Sequence, residues 1–383
     1  MKVLFVIPNM EAGGAERVML NLLRHIDRGR FEPHLALLDV RGTHLQSVPP
    51  DVTIHALGAS AARFAVLPIA KLCWRIRPQA VLSVLAYMNA AVIAARLLLP
   101  KPVRLLIREG TRTVSPEVTR SRARLWSYKQ LYRRADVVIC QSESMKEEMR
   151  REFGLPSEKL ARIYNPVDID LISRLARDGQ NPFQTEGPNL VAAGRLSQEK
   201  ALDLLLRAMP LVRVTFPRVQ LTIVGQGPLE AALKKQVAEL GLGSCVHFAG
   251  FQANPYPFLR HAHALVLPSR YEGLPNAVLE ALALGTFAVS TDCTGAMREI
   301  AGATRRLRIA AEHTPESLAS SMGESLSESL AAPKPTGPEP EFEARFGLSP
   351  VMAQYERLLY PSAEEPLQTV TAETRPGFKF AAR

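Results

Sequence analysis

The sequence predicts two doubly wound parallel α/β domains in tandem, and three observations predict it. Its 383 residues exceed what one ordinary core serves, so two domains of about 150–200 residues are expected. Short apolar runs alternate with longer helical patterns through the first 170 residues. That alternation builds a parallel sheet with helices on both faces. A polar, Gly/Pro-bearing stretch, SRLARDGQNPFQTEGPN (173–189), then interrupts the pattern, and the same alternation restarts after it.

In the first half, KVLFVI (2–7) reads as a strand before the helix of GGAERVMLNLLRHI (13–26). The opening apolar run is too short for a secretory leader. EPHLALLDV (32–40) supplies another strand. The segment 80–99 approaches the length that crosses a bilayer. Ser83, Asn89 and Arg96 interrupt it, so a buried strand (80–85) and a packed helix (88–99) are expected, with no spanning helix. VRLLI (103–107) precedes a basic helical stretch, and ADVVICQS (135–142) precedes the helix ESMKEEMRREF (143–153).

In the second half the strands are LVAAGRL (190–196), VQLTIVGQG (219–227), CVHFAGF (245–251), HALVLPS (263–269) and TFAVSTD (286–292). Helices fall at 201–216, at 228–242 and after the turn Gly273-Leu274-Pro275-Asn276. APKPTGPEPE (332–341) marks a Pro-rich segment, followed by a short helix in SPVMAQYERLLY (349–360). The expected division is 1–175, a linker at 176–188, a second domain at 189–330, the Pro-rich segment and helix at 331–360, and a disordered tail at 361–383.

The charge is uneven. A formal +10 points to an anionic partner, and residues 101–134 hold ten Lys/Arg against Glu109 and Glu117. Within it, Arg120, Arg122, Arg124 and Lys129 surround Leu125, Trp126, Tyr128, Leu131 and Tyr132, a pattern that suits a helix lying on an anionic membrane. A merely solvated basic face fits the same residues. Nucleic acid is disfavoured, since no stacking platform accompanies the charge. The four cysteines form no CxxC, so buried thiols in a reducing compartment are expected rather than a zinc site or disulfides.

In parallel sheets ligands gather beyond strand C-termini. HALVLPS therefore places SRYEGLPNAVLEALALG (269–285) at a ligand edge, with Glu272 just before a helix start and Glu280 about one turn inside it. Helical side chains tilt toward the N-terminus, so both carboxylates address one spot. The backbone amides of Gly273 to Asn276 suit an anion there. Acids beside an anion site are reconciled by a ligand with hydroxyls as well as phosphates, such as a nucleotide-sugar. Arg195 and Lys200, just beyond another strand, suit its diphosphate and the charge that develops when it departs. Gly13-Gly14 and Gly225/Gly227 make tight loops at strand ends, but neither completes GxGxxG. Asp168 and Asp170 imitate a metal-binding DxD yet open a helix, so Asp168 reads as a cap. His261 and His263 lack a third metal ligand at a usual spacing.

Together GGAER (13–17), ADVVICQS (135–142), IYNPVD (163–168), GRLSQEK (194–200), IVGQGPLEAAL (223–233) and LPSRYEGLPNAVLEALALG (267–285) resemble glycosyltransferase family 4, retaining enzymes of the GT-B fold. The resemblance implies two Rossmann-like domains facing a cleft. It places Glu272 by the donor sugar, Glu280 on the ribose, and Arg195 and Lys200 on the diphosphate. It puts Gly14, Gly225 and the segment Gly273, Leu274, Pro275 and Asn276 around the donor, and Phe251 by the nucleobase. It also implies no cofactor and no bound metal. Departures stand out: Arg108 and Glu109 replace a histidine that many members carry, Ala201 replaces a usual glycine, and the segment beyond 300 is atypical.

The expected activity is retaining transfer of a hexose or N-acetylhexosamine from a nucleotide-sugar, with UDP-sugars favoured over GDP-mannose. The expected acceptor is a lipid-linked or lipopolysaccharide-type glycan. The expected place is peripheral, at the cytoplasmic face of the inner membrane. The alternatives are a GT-B protein that holds a nucleotide-sugar without transferring it, and a nucleotide-sugar epimerase of the same architecture.

Overall fold

The computed structural model describes residues 1–11, 13–110, 122–183, 187–331 and 333–360. The expected tail and Arg120 lie outside those residues, and for Arg122 and Arg124 the description extends to the backbone alone.

The first sheet is built from β1 (Lys2–Ile7), β2 (Glu32–Leu37), β3 (Thr53–Ala56), β4 (Ala80–Val84), β5 (Arg104–Arg108), β6 (Val137–Cys140) and β7 (Leu160–Arg162). Their order across the sheet is β3-β2-β1-β4-β5-β6-β7, every pair parallel. The second sheet takes β8 (Asn189–Ala193), β9 (Gln220–Val224), β10 (Val246–Gly250), β11 (Ala264–Leu267), β12 (Phe287–Thr291) and β13 (Leu307–Ala310). It runs β10-β9-β8-β11-β12-β13, again all parallel. Strand order reverses beside β1 in one sheet and beside β8 in the other. The loops leaving β1 and β8 therefore open onto a crevice.

Helices cover both faces of each sheet, which is why the inner strands read as unbroken apolar runs. Val18, Met19 and Leu22 pack on one face of the first sheet and Ile69, Val92 and Met149 on the other. The second sheet is buried between Val278, Leu282 and Met297 on one side and Leu205, Met209 and Met322 on the other.

Two helices cross between the halves. Ile169–Arg177 runs into the expected linker at 176–188, and Ile172 and Ala176 lie in the core of the second half. The last helix, Leu348–Leu359, returns Val351, Tyr355 and Leu359 to the core of the first sheet.

Segment 80–99 forms β4, the helix Ala86–Ala94 and a 3-10 turn, Ala95–Leu98. Among the described residues no helix is long and apolar enough to cross a membrane. The basic stretch does form a helix, Arg122–Tyr132. Its aromatic face is not free as the sequence suggested. Tyr132 is sealed in the core and Tyr128 packs against it, so of the three aromatics Trp126 alone stands exposed, and Lys129 is half-buried. Strands β3, β7 and β13 were not anticipated. All three are edge strands of three or four residues, too short and too polar to show a continuous apolar run.

Candidate active site

The loop after β11 is held by its own arginine. The Arg270 amide donates to the Glu199 carbonyl at 2.8 Å, and its guanidinium donates to the Gln198 carbonyl at 2.5 Å and to Asp203 at 3.3 Å. Arg270 therefore does not neutralise the nearby glutamates. It clamps the loop onto the 198–200 turn, and that contact delivers Lys200 to Glu272. The Lys200 ammonium donates to Glu272 Oε1 at 2.5 Å, and the Ser269 hydroxyl donates to the same oxygen at 2.7 Å. Both charged side chains are mostly covered, at 23% and 13% exposure. The turn needs a left-handed residue, and Ala201 takes it at φ +47° where glycine would be unstrained.

Glu280 lies in the helix Asn276–Ala283, which Gly285 terminates at φ +75°. Its partner comes from the other half of the molecule. The Arg17 guanidinium, on the helix Gly14–His25, donates to Glu280 and also stands 5.8 Å from the centre of the Tyr256 ring. The Glu280 carboxylate raises the Arg17 pKa above the usual arginine value, so the guanidinium stays charged.

Arg195 is exposed beyond β8. Gly194 before it and Gly225 beyond β9 have φ of +150° and +141°. A β-carbon on Gly225 would stand 1.9 Å from the Gly194 carbonyl oxygen, so glycine here lets two strand-end loops touch. Gly194, Arg195, Lys200 and Pro268 line a cavity of about 10 Å³, room for about one water. Phe251 is half-exposed just past β10.

The first half presses on this edge. The Asn276 side chain donates to the Gly14 carbonyl at 3.1 Å. A β-carbon on Gly273 would meet the Gly110 carbonyl at 2.4 Å. Gly273, Leu274 and Pro275 are buried, so the segment expected to offer open amides is covered. The physical reason is the close approach of the Gly110 loop, which a side chain at 273 would block.

Behind that contact lies a polar relay that sequence reasoning did not single out. Arg108, fully buried at the end of β5, donates to the Tyr355 hydroxyl at 2.9 Å and to Asn165 Oδ1. Asn165 Nδ2 in turn donates to the Leu274 carbonyl at 3.1 Å and to Asn276 Oδ1 at 2.6 Å. One asparagine thus ties the first sheet, the returning C-terminal helix and the 274–276 segment together. The available signal was a large charged residue closing an apolar strand, with a lone Asn before Pro166.

Glu109 is sealed. It accepts from Asn89 at 2.9 Å and from the Tyr132 hydroxyl, and is 1% exposed. Glu16, by contrast, sits at the start of the first helix with a pKa raised by burial, partly offset by Arg195 across the crevice. Asp168 caps its helix by accepting from the Leu171 amide at 3.0 Å and meets His25 at 2.9 Å. His263 accepts from the Asn189 amide at 3.0 Å.

The structure thus brings Glu272, Lys200 and Arg195 to one edge, with Glu280 on the adjoining helix and Gly14 facing it from the opposite half. Two family models match this chain: one described as Glycosyltransferase Family 4 over residues 12–171, and one described as Glycosyl transferases group 1 over residues 187–328. An uncharacterized glycosyltransferase of Methanocaldococcus jannaschii is 33% identical over 181 residues, covering 45% of this chain and 44% of the relative. The match therefore spans less than half of that protein. A second relative comes from Campylobacter jejuni, the N-acetylgalactosamine-N,N'-diacetylbacillosaminyl-diphospho-undecaprenol 4-alpha-N-acetylgalactosaminyltransferase. It is 28% identical over 313 residues, covering 77% of this chain and 82% of the relative. Among solved structures, Anabaena HepE in complex with UDP and glucose superposes with a TM-score of 0.76 at 20% identity. That match covers 94% of this chain and 99% of the neighbour.

Proposed function

We propose, for a chain that belongs to the family 4 glycosyltransferases and has the GT-B fold, the transfer of a hexose or N-acetylhexosamine from a nucleotide-sugar to a glycan acceptor with retention of anomeric configuration. The observation that carries this reading is the Lys200–Glu272–Ser269 cluster at the mouth of the second sheet.

In this reading Lys200 and Arg195 neutralise the diphosphate as the sugar–phosphate bond breaks. Two fixed cations stabilise the growing charge, so the chemistry proceeds without a bound metal. Glu272 lies beside an oxocarbenium-like sugar and favours its positive character. Glu280 accepts from the ribose hydroxyls once Arg17 releases it. The donor also borders Gly14, Gly225, Phe251 and the segment from Gly273 to Asn276.

UDP is the favoured nucleotide because HepE of the same fold was solved with UDP and glucose. A lipid-linked or lipopolysaccharide-type acceptor is favoured because the Campylobacter relative is named for a diphospho-undecaprenol acceptor. The surplus of positive charge suits an anionic membrane, and the protein would work as a peripheral enzyme at the inner face.

A thermal-shift screen with UDP-, GDP- and ADP-sugars tests the donor. A ligand at 100 times its Kd adds about 2.7 kcal/mol to stability. A shift with UDP-sugars alone is expected, and no shift with any of the three classes would remove the reading.

A further inference from the structure

We infer that a face of the first half other than the basic helix, formed by residues 62–77 and 97–101, docks on an anionic lipid bilayer. It deepens the proposed membrane-side function by naming the surface that does the docking.

The helix Val66–Ile76 carries the first observation. Its inner face is committed to the core through Ile69, Leu72 and Cys73. Its outer face mixes apolar and basic residues: Leu67 and Trp74 are 61% and 51% exposed, with Lys71 between them at helical spacing. Large apolar side chains beside cations on an exposed helix face suit a membrane interface. Phe64 just before it is exposed too, and Leu97 of the neighbouring 3-10 turn is 81% exposed. The patch is continuous, because the Trp74 indole N–H donates to the Leu98 carbonyl at 2.8 Å. Single exposed apolar residues mean little, but a contiguous set marks an interaction surface.

The second observation is charge. Between Asp51 and Glu109 there is no acidic residue, whereas eight Lys/Arg fall in that interval. Arg63, Lys71, Arg75, Arg77 and Lys101 are exposed. The Arg63 guanidinium lies 4.7 Å from the Phe64 ring centre and that of Arg77 4.2 Å from the Trp74 ring. Apolar anchors rimmed by cations complement an acyl layer beneath anionic headgroups. The side chains protrude rather than line a groove, which suits a fluid bilayer better than a shaped peptide. The helix also starts just beyond the loop that leaves β3, on the edge where the crevice opens. A lipid-held acceptor would then lie within reach of the donor.

The two tryptophans of the chain are the reporters. Full-length Trp126→Phe leaves Trp74, and Trp74→Phe leaves Trp126. Each is mixed with equimolar phosphatidylglycerol/phosphatidylcholine vesicles carrying brominated acyl chains. Strong quenching and a blue shift of Trp74 are expected. The pairs Leu67→Ser/Leu97→Ser and Lys71→Glu/Arg77→Glu should each weaken vesicle binding by about tenfold or more. Both pairs should keep the UDP-sugar thermal shift, since these residues lie outside the donor site. Quenching of Trp126 with Trp74 untouched would overturn the proposal in favour of the basic helix. Vesicle binding unchanged in both pairs, or absent from the parent protein, would overturn it as well. Docking that persists in a chain binding no nucleotide-sugar would uphold the surface while removing the transferase reading.

Discussion

Replacing Asn165 with alanine should destabilise both halves of the molecule at once. Asn165 is 4% exposed and takes part in three hydrogen bonds: it accepts from Arg108 and donates to Leu274 O at 3.1 Å and Asn276 Oδ1 at 2.6 Å. The two neutral bonds are worth about 0.5–1.5 kcal/mol each and the charge-assisted one about 1.5–3 kcal/mol. The expected loss is about 3–5 kcal/mol, much of it the cost of leaving a buried guanidinium short of an acceptor. For a chain of this size about 2 °C accompanies each kcal/mol, so Tm should fall by about 6–10 °C. Asn165→Asp keeps an acceptor for Arg108 but loses both donations, and should fall between the parent and alanine. Differential scanning calorimetry reads both. The alanine variant should also give a smaller UDP-sugar shift, because the 274–276 segment has lost its anchor. A Tm loss below about 2 °C would refute the relay as a structural tie.

Glu272→Ala and Lys200→Ala should each abolish sugar transfer with the circular dichroism spectrum unchanged; full turnover in both would discard the assigned roles. Arg17→Ala removes the ion pair that joins the halves at Glu280, so apo Tm should fall while UDP-sugar binds more tightly by calorimetry. Weaker binding would show that Arg17 holds the donor itself. Burial pushes the thiols of Cys73 and Cys293 up to about 12, and those of Cys140 and Cys245 upward, so all four are neutral at pH 8. Mass spectrometry should find no iodoacetamide adduct on the native chain and four after denaturation; rapid native labelling would contradict the packing.

Elements built from continuous apolar runs were legible in the sequence. The central strands β1, β4, β5, β8, β9 and β11 lie where Val/Leu/Ile runs stand, because a parallel strand buried on both faces has no polar positions to hide it. Edge strands β3, β7 and β13 left no such trace. The site divided in the same way. Glu272, Lys200 and Arg195 lie at strand ends, where sheet topology alone sends ligands, and their loops are close. Arg17, Arg108 and Asn165 stand in the quoted motifs and departures, but their partners were not legible, since each acts across more than fifty residues of chain. The aromatic face of the basic helix misled because composition does not say which side packs inward.

The sequence alone determined two parallel sheets, the loop chemistry at their C-terminal edges and a surplus of positive charge, all of which follow from local pattern and residue type. Only the tertiary structure decided that the crevice is closed by Arg17 on Glu280 and Gly273 on Gly110, and that large apolar side chains on one helix face are left uncovered. Those outcomes depend on contacts between segments far apart in the chain, and burial is a property of the assembled surface rather than of any stretch of residues.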